Sequence, residues 1–295
     1  MQKMLLKILA IFSAIMLIIL SWLFFNQENQ VINSKLQISV SSYPLYFFAK
    51  NITGDQATII NLSKAGTDPH DYEPSSGDLK QIANSKLLIV NGNKFETWLN
   101  KFGELISQEN TTIIKVAPES DPHTWLDPNL AIKQVELINA KLQELDPVNA
   151  TIYQNNANQL LNKLIELDQD FQKTLQKCQN TQVISTHNAL GYLAARYHFQ
   201  QITIEDQNSH GDLSPTTLAR IIETAKQNKI QTVLSEPLEN QKAAATIAEE
   251  IDGEVLAFDP IENLAPDKIQ RNADYFSLQK ENLATLQKAL NCQAQ

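Results

Sequence analysis

Short apolar runs rich in β-branched residues recur along the chain, and each is followed by a longer stretch whose apolar positions fall at helical spacing. In the first half the runs over 36–40, 57–62, 87–91 and 112–116 read as strands. The segments 43–49, 77–84, 95–106 and 128–145 read as the helices between and after them. Strand and helix alternating in this way mark a parallel sheet with helices packed on it, against which Trp98 and Phe102 are expected to lie.

The rhythm then breaks. Leu160, Leu164, Leu167, Phe171 and Leu175 recur every three or four residues with polar residues between them, and no proline or glycine occurs from Asn149 to Cys178. This predicts one uninterrupted helix over 149–178, roughly 45 Å long. A coiled-coil dimer helix is the alternative reading. Beyond it the alternation resumes, with strands over 182–185, 200–204, 230–234 and 254–258 and helices over 188–197, 215–227, 240–251 and 275–290. The pattern therefore predicts an α/β fold of two lobes, 36–145 and 180–295, each with a four-stranded mainly parallel sheet flanked by helices, joined by one long helix. A single eight-stranded barrel is the alternative, and the long helix counts against the rhythm it requires.

Composition changes the picture little. The 295 residues, 43% hydrophobic and 19% charged, suffice for two lobes. A net charge of −9 without a Lys/Arg cluster argues against a nucleic-acid partner, whereas an acidic surface does not repel a divalent cation.

The N-terminus reads as a targeting segment outside the fold. Lys3 and Lys7 precede an apolar run over 8–25, about 27 Å as a helix, so the remainder is expected outside the cytoplasm, in the periplasm. Signal peptide and uncleaved signal anchor both remain open for residues 1–30, and with no cysteine at 20–30 a lipoprotein signal is excluded. The two cysteines, Cys178 and Cys292, lack metal-site spacing, and an exported context permits them to pair.

Candidate chemistry sits at strand ends. His70 lies in Asp68-Pro69-His70-Asp71-Tyr72-Glu73-Pro74, before a helix that Ser75 or Ser76 can cap. His123 follows the strand over 112–116 and precedes Asp127-Pro128, a helix start; His187 follows 182–185; Asp259 ends 254–258. In open α/β sheets ligands bind beyond the carboxyl ends of the strands, so these four can converge despite their separation. Three imidazoles and one carboxylate make a tetrahedral zinc set.

The block from Asp68 to Asp78 together with His123-Thr124-Trp125-Leu126-Asp127-Pro128 resembles the metal-binding subunits of zinc and manganese ABC importers, the cluster A-I solute-binding proteins. The likeness runs from about Gln37 to Ala289 and includes Asn91-Gly92-Asn93, Glu96-Thr97-Trp98, Ser214-Pro215 and Asp259-Pro260. It implies metal ligands at His70, His123, His187 and Asp259, a long helix joining two lobes that move only modestly, and an ABC permease as partner. In the manganese branch the third ligand is typically a glutamate, so His187 points to zinc, with manganese the alternative cargo. The His- and acid-rich loop of many zinc-branch relatives is absent before His123.

Three further side chains stay open. Glu236, at another strand end, is either a supporting acceptor, an alternative ligand or a surface carboxylate. His198 suits a helix C-terminus, and His210 reads as a loop residue. A zinc hydrolase is the competing class, but a fourth protein ligand closes the coordination and neither an H-x-x-x-H pair nor G-x-S-x-G is present. A metal-linked adhesin is the other alternative. The expected protein is a monomeric receptor, not an enzyme.

Overall fold

The computed structural model describes residues 35–204, 214–236 and 241–293, together with Ser13, Ile15 and Met16. The rest of the apolar run over 8–25, and His210, lie outside the described residues. Among the described residues no helix is long and apolar enough to cross a membrane.

The first lobe runs β1 (Leu36–Val40), α1 (Tyr43–Thr53), β2 (Ala57–Asn61), α2 (Ser76–Ala83), β3 (Leu87–Val90), α3 (Leu99–Gln108), β4 (Thr112–Lys115) and α4 (Pro128–Leu145). The linking helix α5 is Ala150–Leu175. The second lobe runs β5 (Gln182–Ser185), α6 (Gly191–Tyr197), β6 (Gln200–Thr203), α7 (Pro215–Gln227), β7 (Thr232–Ser235), α8 (Lys242–Glu250), β8 (Glu254–Ala257), α9 (Pro266–Gln270) and α10 (Tyr275–Ala289). Among the described residues the pairings between these strands are all parallel, in the orders β2-β1-β3-β4 and β6-β5-β7-β8. Each lobe is thus a small open sheet with the same order, and the carboxyl ends of both sheets supply the cleft. The central β3 is buried at every position, as a strand covered on both faces should be.

Local chemistry explains most boundaries. Ser75 and Asp78 form a capping box at the start of α2. Asp127 caps α4 through the Asn129 amide, with Pro128 at the first helical position. Helix α3 begins at Leu99, later than the periodicity suggests, because the preceding residues form turns that close over Glu96. The inward carboxylate of Glu96 accepts hydrogen bonds from the Asn91 and Gly92 amides and from Ser41 Oγ. Similarly α6 begins at Gly191 rather than directly after His187. The short α9 carries no strong apolar pattern and was not legible.

Helix α5 buries the stripe Leu160, Leu164, Leu167, Phe171 and Leu175, and it packs on α1, α4 and α10. The C-terminal helix α10 leaves its own lobe to reach the first one. Tyr275 stacks on Phe47, meets Phe48 edge-on, and donates its hydroxyl to the Trp125 carbonyl. One continuous apolar core therefore includes residues of both lobes, from Ile38 to Leu290. Cys178, just beyond α5, is disulfide-bonded to Cys292, just beyond α10, which ties together the far ends of the two long helices.

Candidate metal centre

Four loops reach the cleft from the ends of β2, β4, β5 and β8. After β2, Asp68 accepts from the His70 amide and shapes the one-turn 3-10 helix Pro69–Asp71 that presents the His70 ring. After β4, His123 stands at the start of another 3-10 turn, Thr124–Leu126, whose Trp125 is fully buried. After β5, Ser185 Oγ and the side-chain Nε2 of Gln201 both donate to the His187 carbonyl, which fixes that loop without using the ring.

The structure brings these three histidines together and sets Glu262 among them. The ligand atoms of His70, His123, His187 and Glu262 all lie within 4.8 Å of one another. Oε1 of Glu262 is 3.2 Å from Nε2 of His70, 3.3 Å from Nε2 of His123 and 3.7 Å from Nε2 of His187, and the last two nitrogens are 3.2 Å apart. A tetrahedral ion with bonds of about 2.0–2.1 Å holds its ligand atoms about 3.3–3.4 Å apart. The three edges from Glu262 and the one between His123 and His187 thus already stand near those of such a coordination shell.

Asp259, the carboxylate expected from the sequence, is not in this group. Its Oδ1 accepts from the Ile261 amide and its Oδ2 faces Lys268 at 3.9 Å, so it serves as the brace of its own loop. Asn282 of α10 grips the same residue from behind, accepting from its amide and donating to its carbonyl. The chain then turns through Ile261, which is buried at φ 59°, a left-handed conformation that a β-branched side chain rarely adopts. That turn aims Glu262, three residues beyond Asp259, into the cleft. No glycine marks it, so only the spare acidic residue in Pro260-Ile261-Glu262 could have drawn attention. Glu236 lines a cavity of about 130 Å3 with Asp68, Asp259 and Glu262 and is not among the four. His198 ends α6 in the left-handed region and is likewise apart from the cluster.

The cluster has a closed side and an open one. His123 and Glu262 are 5% and 6% exposed, while His70 and His187 stay partly accessible, so an ion enters past the latter pair. The ring centroid of Phe95 lies 4.4 Å from that of His70 and the ring centroid of Trp125 lies 5.4 Å from that of His123, which makes the inner wall aromatic. Burial alone would raise the Glu262 carboxyl, but the charge of His70 and hydrogen bonds from His123 and His70 hold it well below the carboxylate range. Burial works against a charged His123 too, yet its hydrogen bonds to Asp121 and Glu262 outweigh this and lift it to about 9. His70 is raised for the corresponding reason, burial being overcome by the Glu262 charge. A cluster of this kind holds protons until a cation replaces them.

Two parallel-sheet lobes around a buried three-histidine, one-carboxylate cluster define a two-lobed solute-binding protein for a metal ion. The chain belongs to the family described as zinc-uptake complex component A, periplasmic (ZnuA), which it matches over residues 38–289. It is 27% identical over 280 residues to the high-affinity zinc uptake system protein ZnuA of Bacillus subtilis (strain 168), spanning 87% of this chain and 88% of that one. It is 28% identical over 313 residues to the zinc-binding protein AdcA of Streptococcus pyogenes serotype M1, spanning 95% of this chain and 61% of that longer one. The Zn(II)-bound ZnuA-like domain of Streptococcus pneumoniae AdcA superposes with a TM-score of 0.79 at 29% identity, over 87% of this chain and 99% of that domain.

Proposed function

We propose that this protein is an extracytoplasmic zinc receptor that delivers its ion to an ABC importer in the membrane, with His70, His123, His187 and Glu262 as the ligands. The observation that carries the reading is one carboxylate oxygen at 3.2–3.7 Å from three Nε2 atoms, two of which are 3.2 Å apart, with all four ligand atoms within 4.8 Å of one another, which suits a small four-coordinate ion. Three borderline-soft nitrogens and a single carboxylate favour zinc over manganese, which prefers more oxygen ligands and higher coordination. Four protein ligands also leave no position for an activated water, so the site is one for carrying an ion rather than for hydrolysis.

The extracytoplasmic placement is supported by the basic-then-apolar N-terminus and by the Cys178–Cys292 disulfide, which suits an oxidising compartment. The run over 8–25 serves as signal peptide or as membrane tether, and the permease is the partner that receives the ion. Residues 36–295 act as a monomer holding one ion. Elemental analysis and native mass spectrometry of that segment, followed by competition between zinc and manganese at fixed pH, test this reading. One zinc per chain, retained against manganese, is expected; a preference for manganese, or two tightly held ions, overturns it.

A further inference from the structure

The His123 ring is held from behind as well as from the front. Its Nδ1 lies 2.8 Å from Oδ1 of Asp121, which also accepts from the His123 amide at 3.0 Å. A carboxylate only accepts, so Nδ1 carries a proton toward Asp121; Nε2 likewise donates to Glu262 while no cation is bound, and once a cation displaces that proton the Nδ1–H···Asp121 bond leaves the Nε2 lone pair facing the cluster. The other oxygen of Asp121 points across the cleft to the second lobe. A methyl group built on Gly191, the first residue of α6, would sit 3.0 Å from Asp121 Oδ2, closer than ordinary van der Waals contact. Gly191 does not have a positive φ, so its backbone does not call for glycine. What the missing side chain leaves room for is Asp121. The neighbouring residues meet across the same line, Ser120 Oγ lying 3.1 Å from Tyr192 Oη, while Lys94 Nζ donates to the Ser120 carbonyl.

From this we propose that Asp121 is the positioning residue of the metal site, fixing the tautomer and angle of His123, and that Gly191 of the opposite lobe is what allows it to stand there. The inference rests on the zinc-receptor reading of the cluster. Outer carboxylates that orient a ligating histidine typically change metal affinity by about 10–100-fold. The contact also makes His123 answerable to the lobe interface, since displacement of α6 against the first lobe would shift Asp121 before it reached any ligand.

The test is a double-mutant cycle in zinc affinity on the full domain, with Asp121→Ala, Gly191→Ala and their combination, and Asp121→Asn as a milder variant that keeps an acceptor. Asp121→Ala is expected to weaken zinc by about 10–100-fold and Asp121→Asn by less. Gly191→Ala should weaken zinc in the native background and do nothing further once Asp121 is alanine. A readout without metal separates this inference from the receptor reading: 15N NMR of the His123 ring titrated through about pH 9, where Nδ1 keeps a proton against Asp121 in the wild type and the neutral ring of Asp121→Ala carries its proton on Nε2, facing Glu262. Thermal melts of each variant confirm folding, and Asp121→Asn carries the test if the alanine variant does not fold. An unchanged His123 tautomer in Asp121→Ala, zinc affinity unchanged in Asp121→Asn, or a Gly191→Ala effect that persists undiminished beside Asp121→Ala, overturns the proposal. If the tautomer shifts as expected while wild type binds zinc weakly, the positioning role stands and the receptor reading fails.

Discussion

The indole Nε1 of Trp125 donates to the carbonyl of Pro260 at 2.7 Å, joining a residue two positions after His123 to one two positions before Glu262. The same strip is stitched to the first lobe again by the Tyr43 amide donating to the Glu262 carbonyl and the Gly66 amide donating to the Leu264 carbonyl. Ligand loops from different lobes are therefore bonded to one another directly, without the ion. With a shared core and a stiff connecting helix, such a site is assembled before the metal arrives and gains little from lobe closure. Trp125→Phe should leave the fold intact, cost about 1–3 kcal/mol for the orphaned buried carbonyl, and speed zinc release. Denaturant titration and stopped-flow chelation check the two effects, and an unchanged release rate would remove the clamp from the account.

The carboxylate assignment separates cleanly by mutation. Glu262→Gln should reduce zinc affinity by more than the about 10–100-fold expected of a supporting contact. Asp259→Asn keeps a side-chain oxygen for the Ile261 amide and should cost far less. Isothermal titration with a competing chelator measures both; a larger loss in Asp259→Asn would restore Asp259 as the ligand.

The expected site residues that meet in the cleft differ in a physical way from the one that does not. The convergence of His70, His123 and His187 was legible because a histidine just past a strand of a parallel sheet has little to do except face the cleft, and the alternation of strands and helices was itself plain. The stripe from Leu160 to Leu175 gave the long helix almost to its ends, since nothing in 150–175 breaks it. That Glu262 would stand beside them was not legible. An aspartate before proline is equally suited to bracing a turn, and Asp259 does this. Glu262 reaches the site only through the left-handed turn at Ile261, which tertiary contacts impose against local preference. Asp121 escaped notice because a short acidic loop gives no hint of which ring nitrogen it will meet.

The protonated cluster makes metal-free stability and metal affinity run in opposite directions with pH. His123 is raised from 6.5 to about 9, so its contribution to stability is complete below 6.5 and is lost as pH rises through about 9. Glu262 is lowered from 4.5, so its contribution is complete above 4.5 and is lost as pH falls through its depressed folded value. The site contribution to metal-free stability is thus greatest between 4.5 and 6.5. Zinc must displace the same protons, so its affinity rises as pH goes from 6 toward 9. Melting curves with and without zinc should diverge over that range; parallel curves would contradict the protonated cluster.

Removing the disulfide by Cys178→Ser with Cys292→Ser should cost about 2–5 kcal/mol under oxidising conditions and leave zinc affinity unchanged, because neither sulfur belongs to the ligand group. Melting of the double variant beside wild type, with and without reductant, checks this.

His187 carries the choice of metal. His187→Glu replaces a neutral nitrogen by a charged, hard and potentially bidentate oxygen, so manganese should gain relative to zinc while the fold persists. Competitive titration of both ions against wild type and variant is the check, and a zinc affinity untouched by the change would remove His187 from the ligand set.

The most direct measurement of the central claim is X-ray absorption at the zinc edge on the purified domain loaded with one equivalent of zinc. The account predicts a four-coordinate ion with three imidazole nitrogens and one carboxylate oxygen at about 2.0–2.1 Å. A sulfur scatterer, a six-coordinate shell, or fewer than three imidazoles would contradict it.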